Sequence, residues 1–218
     1  MTDKALAAHD ISVSFGRRRV LDRVSIGVAA GEVVGLTGPS GTGKTTLAHV
    51  LAGLRRPDSG RVRCDGVSLS PRRHTGRIAM LFQSPRRSCS PRMTLRDTIS
   101  ELATGPVEWE GVLAAVGMTP DLLDRYPAQV SDGQLQRAAV ARALAWRPDY
   151  IVCDEMTAML DPATTATVVR TVTATAATGV GVLLIGHDLP LLRACTTRLV
   201  HLDGTGPTGR SDTTEETR

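Results

Sequence analysis

The segment Gly38-Pro-Ser-Gly-Thr-Gly-Lys-Thr45 sets a lysine and a hydroxyl residue directly behind three glycines. This order fits the phosphate-cradling pattern G-x-x-x-x-G-K-[ST] at every fixed position. Glycines let a backbone bend sharply and turn successive N–H groups onto one concave face. Together with the N-terminus of a following helix, those groups hold a polyphosphate. The candidate cradle is Gly38, Pro39, Ser40, Gly41, Thr42 and Gly43, with Thr46 immediately behind it. Lys44 would reach the β- and γ-phosphates as a point charge, and the Thr45 hydroxyl would ligate Mg²⁺. The plain alternative is a Gly-rich turn with a chance lysine.

A second cluster reads Tyr150-Ile-Val-Cys-Asp154-Glu155, an apolar run ending in two acids. A strand parallel to the one feeding the phosphate loop would bring Asp154 to a Mg²⁺ shell, directly or through water. Glu155 beside it can polarise the water that attacks the γ-phosphate. Solvent-facing acids at a strand end are the dull reading, and the upstream loop argues against it. Ser131-Asp-Gly-Gln134 has two readings. Ser-x-x-Gln is a capping box, and a helix N-terminus bearing a serine and a glycine is also an anion site, open to a phosphate from another molecule.

Positioning these groups requires alternating strands and helices. Glu32-Val-Val-Gly-Leu-Thr37 is a short apolar, β-branched run suited to a buried parallel strand, and Thr46 to Ala52 reads as a helix stopped by Gly53. Ile11–Phe15 and Val24–Val28 alternate and read as paired antiparallel strands, and the turn Asp65-Gly66 predicts a hairpin between Arg61–Cys64 and Val67–Leu69. From Ser84 to about Val130 prolines punctuate short helical stretches such as Trp109 to Val116, which predicts an inserted helical subdomain over about 84–130. Ser131–Trp146 reads as a helix, Tyr150–Cys153 as a strand, Pro162–Ala177 as a helix capped by Asp161, Val180–Ile185 as a strand and Pro190–Ala194 as a short helix. The threonines of the helix from Pro162 are poor helix formers, so packing must hold it. The expected fold is α/β: a mainly parallel sheet flanked by helices, an N-terminal antiparallel β subdomain and the helical insert. One domain is expected over 1–204, with a disordered tail over 205–218.

The chain has 218 residues, 41% of them hydrophobic and only 3% aromatic. Its core must therefore come from Val, Leu, Ile and Ala, as in a sheet covered by helices. The best apolar run, Val180 to Ile185, is far short of a membrane span. The first residues carry no long apolar stretch, so a soluble intracellular protein is expected unless a partner holds it elsewhere. Cys64, Cys89, Cys153 and Cys195 are scattered, which favours reduced thiols over a metal or disulfide framework. Net charge is +4 and the isoelectric point is near 9.2. Arginine runs at 17–19, 55–56, 72–73 and 86–87 suit solvated loops, and they also permit contact with an anionic membrane face or nucleic acid. Charge does not choose between these.

The order of the phosphate loop, Gln83, Ser131-Asp-Gly-Gln134, Asp154-Glu155, Leu160-Asp161 and His187 resembles the nucleotide-binding subunits of ABC transporters, from about Ala5 to Asp203. The resemblance implies a P-loop NTPase fold whose phosphate loop is the Walker A motif, binding and hydrolysing ATP with Mg²⁺. It implies that Phe15 stacks on adenine and that Gln83 senses Mg²⁺ and the γ-phosphate and links to the transmembrane partner. Ser131, Gly133 and Gln134 match the signature that closes over ATP on the opposite subunit. Asp161 matches the D-loop at the dimer seam, and His187 the switch histidine at the γ-phosphate. Residues 85–94 and 125–131 look like the peptide, dipeptide and nickel importer ATPases, where this chain resembles the second ATPase of a pair. The implied partners are a second ATPase subunit, identical or different, two transmembrane permease subunits and an extracytoplasmic binding protein. The implied location is the cytoplasmic face of the cell membrane, with no nucleic acid expected. Asp132 stands where the signature usually has glycine, and Met156 and Ala158 replace a common proline and serine. The short region after Asp203 is expected to lack the extension of many oligopeptide-type subunits. Rival readings are a soluble ABC-type ATPase acting on nucleic acid or ribosomes, a P-loop kinase for a small molecule, and a subunit that binds ATP without hydrolysing it.

Overall fold

The computed structural model describes residues 4–69, 77–157, 160–203 and 207–208. The N-terminal alternation folds into β1 (Ala5–Phe15) and β2 (Arg18–Ala29), antiparallel with Ile11 opposite Val24. Both strands outrun the segments expected from alternation alone. A register shift between Ala8 and Ile11, with Asp10 at φ 51°, carries β1 across the polar pair His9-Asp10 without losing its buried face. Next come β3 (Val33–Thr37) and α1 (Lys44–Leu51), then a hairpin of β4 (Ser59–Cys64) and β5 (Val67–Ser68). Asp65 and Gly66 both take positive φ, 49° and 78°, as a two-residue turn matched to strand twist requires.

The strand β6 (Ile78–Leu81) precedes the helical region, where α2 (Leu95–Ser100) and α3 (Trp109–Val116) are flanked by 3₁₀ turns at Pro85–Arg87, Pro120–Leu122 and Pro127–Gln129. The chain then alternates through α4 (Asp132–Trp146), β7 (Tyr150–Asp154), α5 (Pro162–Ala174), β8 (Gly181–Ile185), α6 (Leu189–Cys195) and β9 (Arg198–Leu202). A last short strand, β10 (Pro207–Thr208), pairs antiparallel with β9. The rest of the tail expected to be disordered lies outside the described residues, as do Arg72, Arg73 and Ala158. Strands β6 and β9 escape prediction because four or five residues with little alternation give no periodic signal.

Two sheets form: β2-β1-β4-β5, antiparallel, and β10-β9-β3-β8-β7-β6, parallel except for β10. Every residue of β3, β7 and β8 is buried, because the parallel sheet is covered on both faces. On one face Val34, Leu36, Val152 and Leu183 meet Leu47 and Leu51 of α1 and the inner side of the antiparallel sheet, through Val13, Leu21 and Val28. On the other, Ile151, Cys153, Val182 and Leu184 meet α4 and α5, and the same cluster runs into α2 and α3 through Leu95, Ile99, Leu113 and Val116. The helical insert thus shares a core with the sheet. Helix α5 buries Val168, Val169 and Val172. The hydroxyls of Thr167, Thr171 and Thr173 donate to the carbonyls four residues back, at 2.9–3.0 Å. This absorbs the polar groups that make threonine a poor helix former. Among the described residues no helix is long and apolar enough to cross a membrane.

Candidate functional site

The phosphate loop and the acid pair leave the sheet at one level. Leu36 of β3 and Asp154 of β7 both pair with Ile185 of the intervening β8, so everything just beyond them lies on the carboxyl edge, where α/β sheets bind ligands. The loop is held open by glycines at two places no other residue fits. Gly38 has φ 152°, and a Cβ there would overlap the Leu202 carbonyl oxygen. Gly43, the N-cap of α1, has φ 99°, and its Cβ would lie 2.6 Å from Leu21 Cδ2.

Lys44 is only 5% exposed. Its Nζ donates to the carbonyls of Gly38 at 2.9 Å and Pro39 at 3.0 Å, and Thr42 Oγ1 donates to the same Pro39 oxygen. The ammonium is thereby folded over the mouth of its own loop. Thr45 Oγ1 donates to Asp154 Oδ1 across 3.1 Å, joining residues 109 apart in sequence. Asp154 is buried, and burial raises its pKa above the ordinary carboxylate value, with the Thr45 hydrogen bond opposing and the Glu155 charge adding.

Glu155 adopts φ 47°, a left-handed backbone rare for glutamate, fixed by its N–H donating to the Ile185 carbonyl. That turn aims the side chain across the sheet edge. His187 Nε2 lies 2.8 Å from Glu155 Oε1, and the Gln83 amide nitrogen 3.4 Å from Oε2. A cavity of about 310 Å³ is lined by Phe15, Ser40, Gly41, Gly43, Lys44, Thr45, Thr46, Glu155 and His187. Phe15 is half exposed, and the Arg55 guanidinium lies 3.9 Å from its ring centroid, a cation–π contact that orients the ring.

Two residues in and around this cavity escape the sequence reading. Arg18 and Val20 also line it, and Arg18 is concealed within an arginine run that reads as an ordinary charged turn. Ser131, Gly133, Gln134 and Asp161 stand outside the lining. Ser131 and Gln134 form the reciprocal capping box of α4, at 2.9 and 3.2 Å. Asp161 caps α5 by accepting from the Thr164 N–H at 3.0 Å, and the bonding to Thr164 holds its pKa below the ordinary value. A second cavity, about 510 Å³, runs from Glu155 and His187 past Leu160 and Pro162, so it reaches from the acid pair to the first turn of α5. Met156, in place of a common proline, is buried in the core beneath.

A family model described as ABC transporter matches residues 21–158, well over half of the chain. The chain belongs to the ABC transporter family. Domains of this family bind ATP with Mg²⁺ and hydrolyse it, and this chain is such an ATPase. It is 35% identical to the phosphate import ATP-binding protein PstB 2 of Natronomonas pharaonis, covering 96% of this chain and 82% of that one. It is 35% identical to the methionine import ATP-binding protein MetN 2 of Salmonella paratyphi A, covering 85% and 59%. A Brucella ovis protein named provisionally for peptide import is 36% identical, covering 84% and 63%. The chain therefore spans about three fifths of the length of the latter two. Among solved structures, the bacterial ABC transporter cassette MJ0796 shares the fold with a TM-score of 0.84 at 23% identity, covering 97% of this chain and 100% of that one. A nucleotide-free ATP-binding cassette from an ABC transporter gives 0.80 at 26% identity, covering 96% and 92%.

The residues fit a magnesium ion. A hydroxyl and a desolvated carboxylate converge at Thr45 and Asp154, the hard oxygen donors Mg²⁺ takes. Among the described residues no three His, Cys, Asp or Glu gather into a metal cluster. Such an ion would complete its shell with phosphate oxygens and water, as magnesium at nucleotide sites does.

Proposed function

We propose that this chain is the ATP-hydrolysing subunit of an importer, one of two cassettes beneath a pair of permease subunits at the cytoplasmic membrane face. The observation that carries it is the 3.1 Å contact between Thr45 and Asp154, with Lys44 alongside, because it joins the phosphate loop to the acidic strand at one point. Lys44 and the loop N–H groups hold the β- and γ-phosphates, and Thr45 and Asp154 hold the metal, with Gln83 completing its surroundings. Bound there, Mg²⁺ would neutralise charge on the phosphate oxygens. Phe15, braced by Arg55, stacks on the base. Glu155 accepts the proton of the attacking water, held in line by His187.

The remaining motif residues serve a second copy or a related subunit. Ser131, Gly133 and Gln134 close over the partner's ATP, and Asp161 lies at the seam. What supports this is the resemblance of these motifs, together with the place of Ser131 and Asp161 at the N-caps of α4 and α5, where a helix N-terminus can meet an anion. Import is supported by the relatives' names. Peptides or nickel as cargo rests on the likeness of residues 85–94 and 125–131, and pairing with a different ATPase on the same segments. Phosphate and methionine relatives stand at equal identity, so cargo belongs to the permeases and an extracytoplasmic binding protein. Against a nucleic-acid partner, several arginines are engaged within the chain: Arg19 with Asp22, Arg77 with Asp65 and Asp149, Arg86 with Asp132.

Co-expressed with permease genes from its own locus, the chain should co-purify with them in detergent. A chain that stays unattached and instead binds RNA with a steep salt dependence would belong to the nucleic-acid class. The metal role has its own test. Asp154→Asn keeps an oxygen for the Thr45 hydroxyl and removes a desolvated charge. The nucleotide-free melting temperature should hold or rise, while the additional thermal shift given by Mg²⁺ with ATP disappears. A parent-sized shift would remove Asp154 from the metal site.

A further inference from the structure

Asp132 poses a problem that rests on the cassette reading above. It puts a carboxylate on the first turn of α4, in the signature that faces a phosphate of the partner's nucleotide. Unpaired, it would repel that phosphate. The structure supplies an answer from the turn that follows Gln83. Arg86, on the 3₁₀ turn Pro85–Arg87 three residues beyond Gln83, donates through Nε to Asp132 Oδ1 at 2.7 Å. Its other two nitrogens donate to the carbonyls of Pro127 at 3.0 Å and Val130 at 3.3 Å. One guanidinium thus spans three acceptors around the Ser131 cap, which a lysine ammonium cannot match in geometry.

We propose that Arg86 is a positioning residue that neutralises Asp132 and ties the signature cap to the Gln83 segment, so that α4 meets the partner's nucleotide without repulsion. An arginine after Gln83 and an aspartate in the signature then form a compensating pair. The cap and the Gln83 segment move as one piece, which carries any displacement at Gln83 directly to the seam. Both side chains are nearly half exposed, so the pair acts by local charge cancellation and orientation, and added salt screens it.

The test uses the full chain carrying Glu155→Gln, with ATP-driven dimerisation followed by sedimentation and ATP binding to dilute monomer by a fluorescent analogue. Arg86→Ala should raise the ATP concentration needed for dimerisation by about tenfold, a factor worth ~1.4 kcal/mol, with monomer binding unchanged. The deficit should shrink at high salt. Arg86→Ala with Asp132→Gly should return to within about threefold of the parent by the same affinity scale, since no charge is left to cancel. Arg86→Lys, which keeps the charge but not the three-acceptor span, should recover part of the loss and carries the test should Arg86→Ala fold poorly. An unmoved Arg86→Ala, a double variant as impaired as the single, or a lysine variant no better than alanine overturns the inference. Failure of the parent to dimerise at any ATP concentration removes the cassette reading and the inference together, whereas a dimerising parent with any of those results removes the inference alone.

Discussion

Lys44→Ala is expected to weaken ATP binding at least ~100-fold, the loss of a charge-assisted contact of about 3 kcal/mol. The ammonium is buried and is held against the Gly38 and Pro39 carbonyls, so it already stands at the mouth of the loop. A phosphate oxygen entering there replaces a neutral acceptor with an anionic one, a stronger partner for the same donor. Alanine leaves the glycine geometry of the loop intact and removes only the charge. The two carbonyls it exposes can turn to water, so the nucleotide-free fold should survive. In the parent, ATP at a hundred times its dissociation constant should stabilise the chain by about 2.7 kcal/mol; in the variant the same ATP concentration should give at most about 0.4 kcal/mol. Calorimetric titration with Mg²⁺ and ATP measures the affinity directly. Parent-like affinity would take Lys44 out of the site and leave the loop a structural turn.

The legible part of this molecule is the part where backbone chemistry admits few residues. Gly38 and Gly43 can be read because a Cβ at either collides with a neighbour, and Asp65-Gly66 because both positions demand positive φ. The strands β3, β7 and β8 could be read because burial on two faces forces continuous apolar runs. Short strands such as β6 and β9 could not, since their pairing is set by neighbours far away in sequence. The same holds in the site. The phosphate loop and the acid pair follow from spacing, and Phe15, Gln83, Asp161 and His187 from the family resemblance, while Arg18, Arg55 and Arg86 sit in arginine runs with no distinguishing pattern. What separates them from solvated arginines is a tertiary contact: a cavity wall, a Phe15 ring and the Asp132 carboxylate. Asp161 shows a further limit. Its capping bond to Thr164 explains it fully within one chain, and only a second subunit would give it a further role.

Glu155→Gln should leave ATP bound and slow turnover by at least ~100-fold, the usual loss when a general base is removed. In barrier terms this is about 2.7 kcal/mol. The substitution is close to isosteric, and the amide oxygen can still accept from His187 Nε2, which lies 2.8 Å from Oε1 in the parent. The backbone turn at φ 47° is a property of the main chain held by Ile185 and carries over to glutamine. Only the capacity to take a proton from water is lost. Shortening the side chain is the complementary change: Glu155→Asp keeps a base but withdraws it by one methylene from His187, so it separates proton acceptance from placement. Phosphate release under saturating ATP gives the turnover, and single-turnover mixing shows whether the chemical step itself has slowed. Because ATP stays in place, the glutamine variant should also accumulate as a dimer with nucleotide trapped between the copies. Unchanged phosphate release would exclude Glu155 as the base and shift that duty to His187, whose ring borders the same cavity.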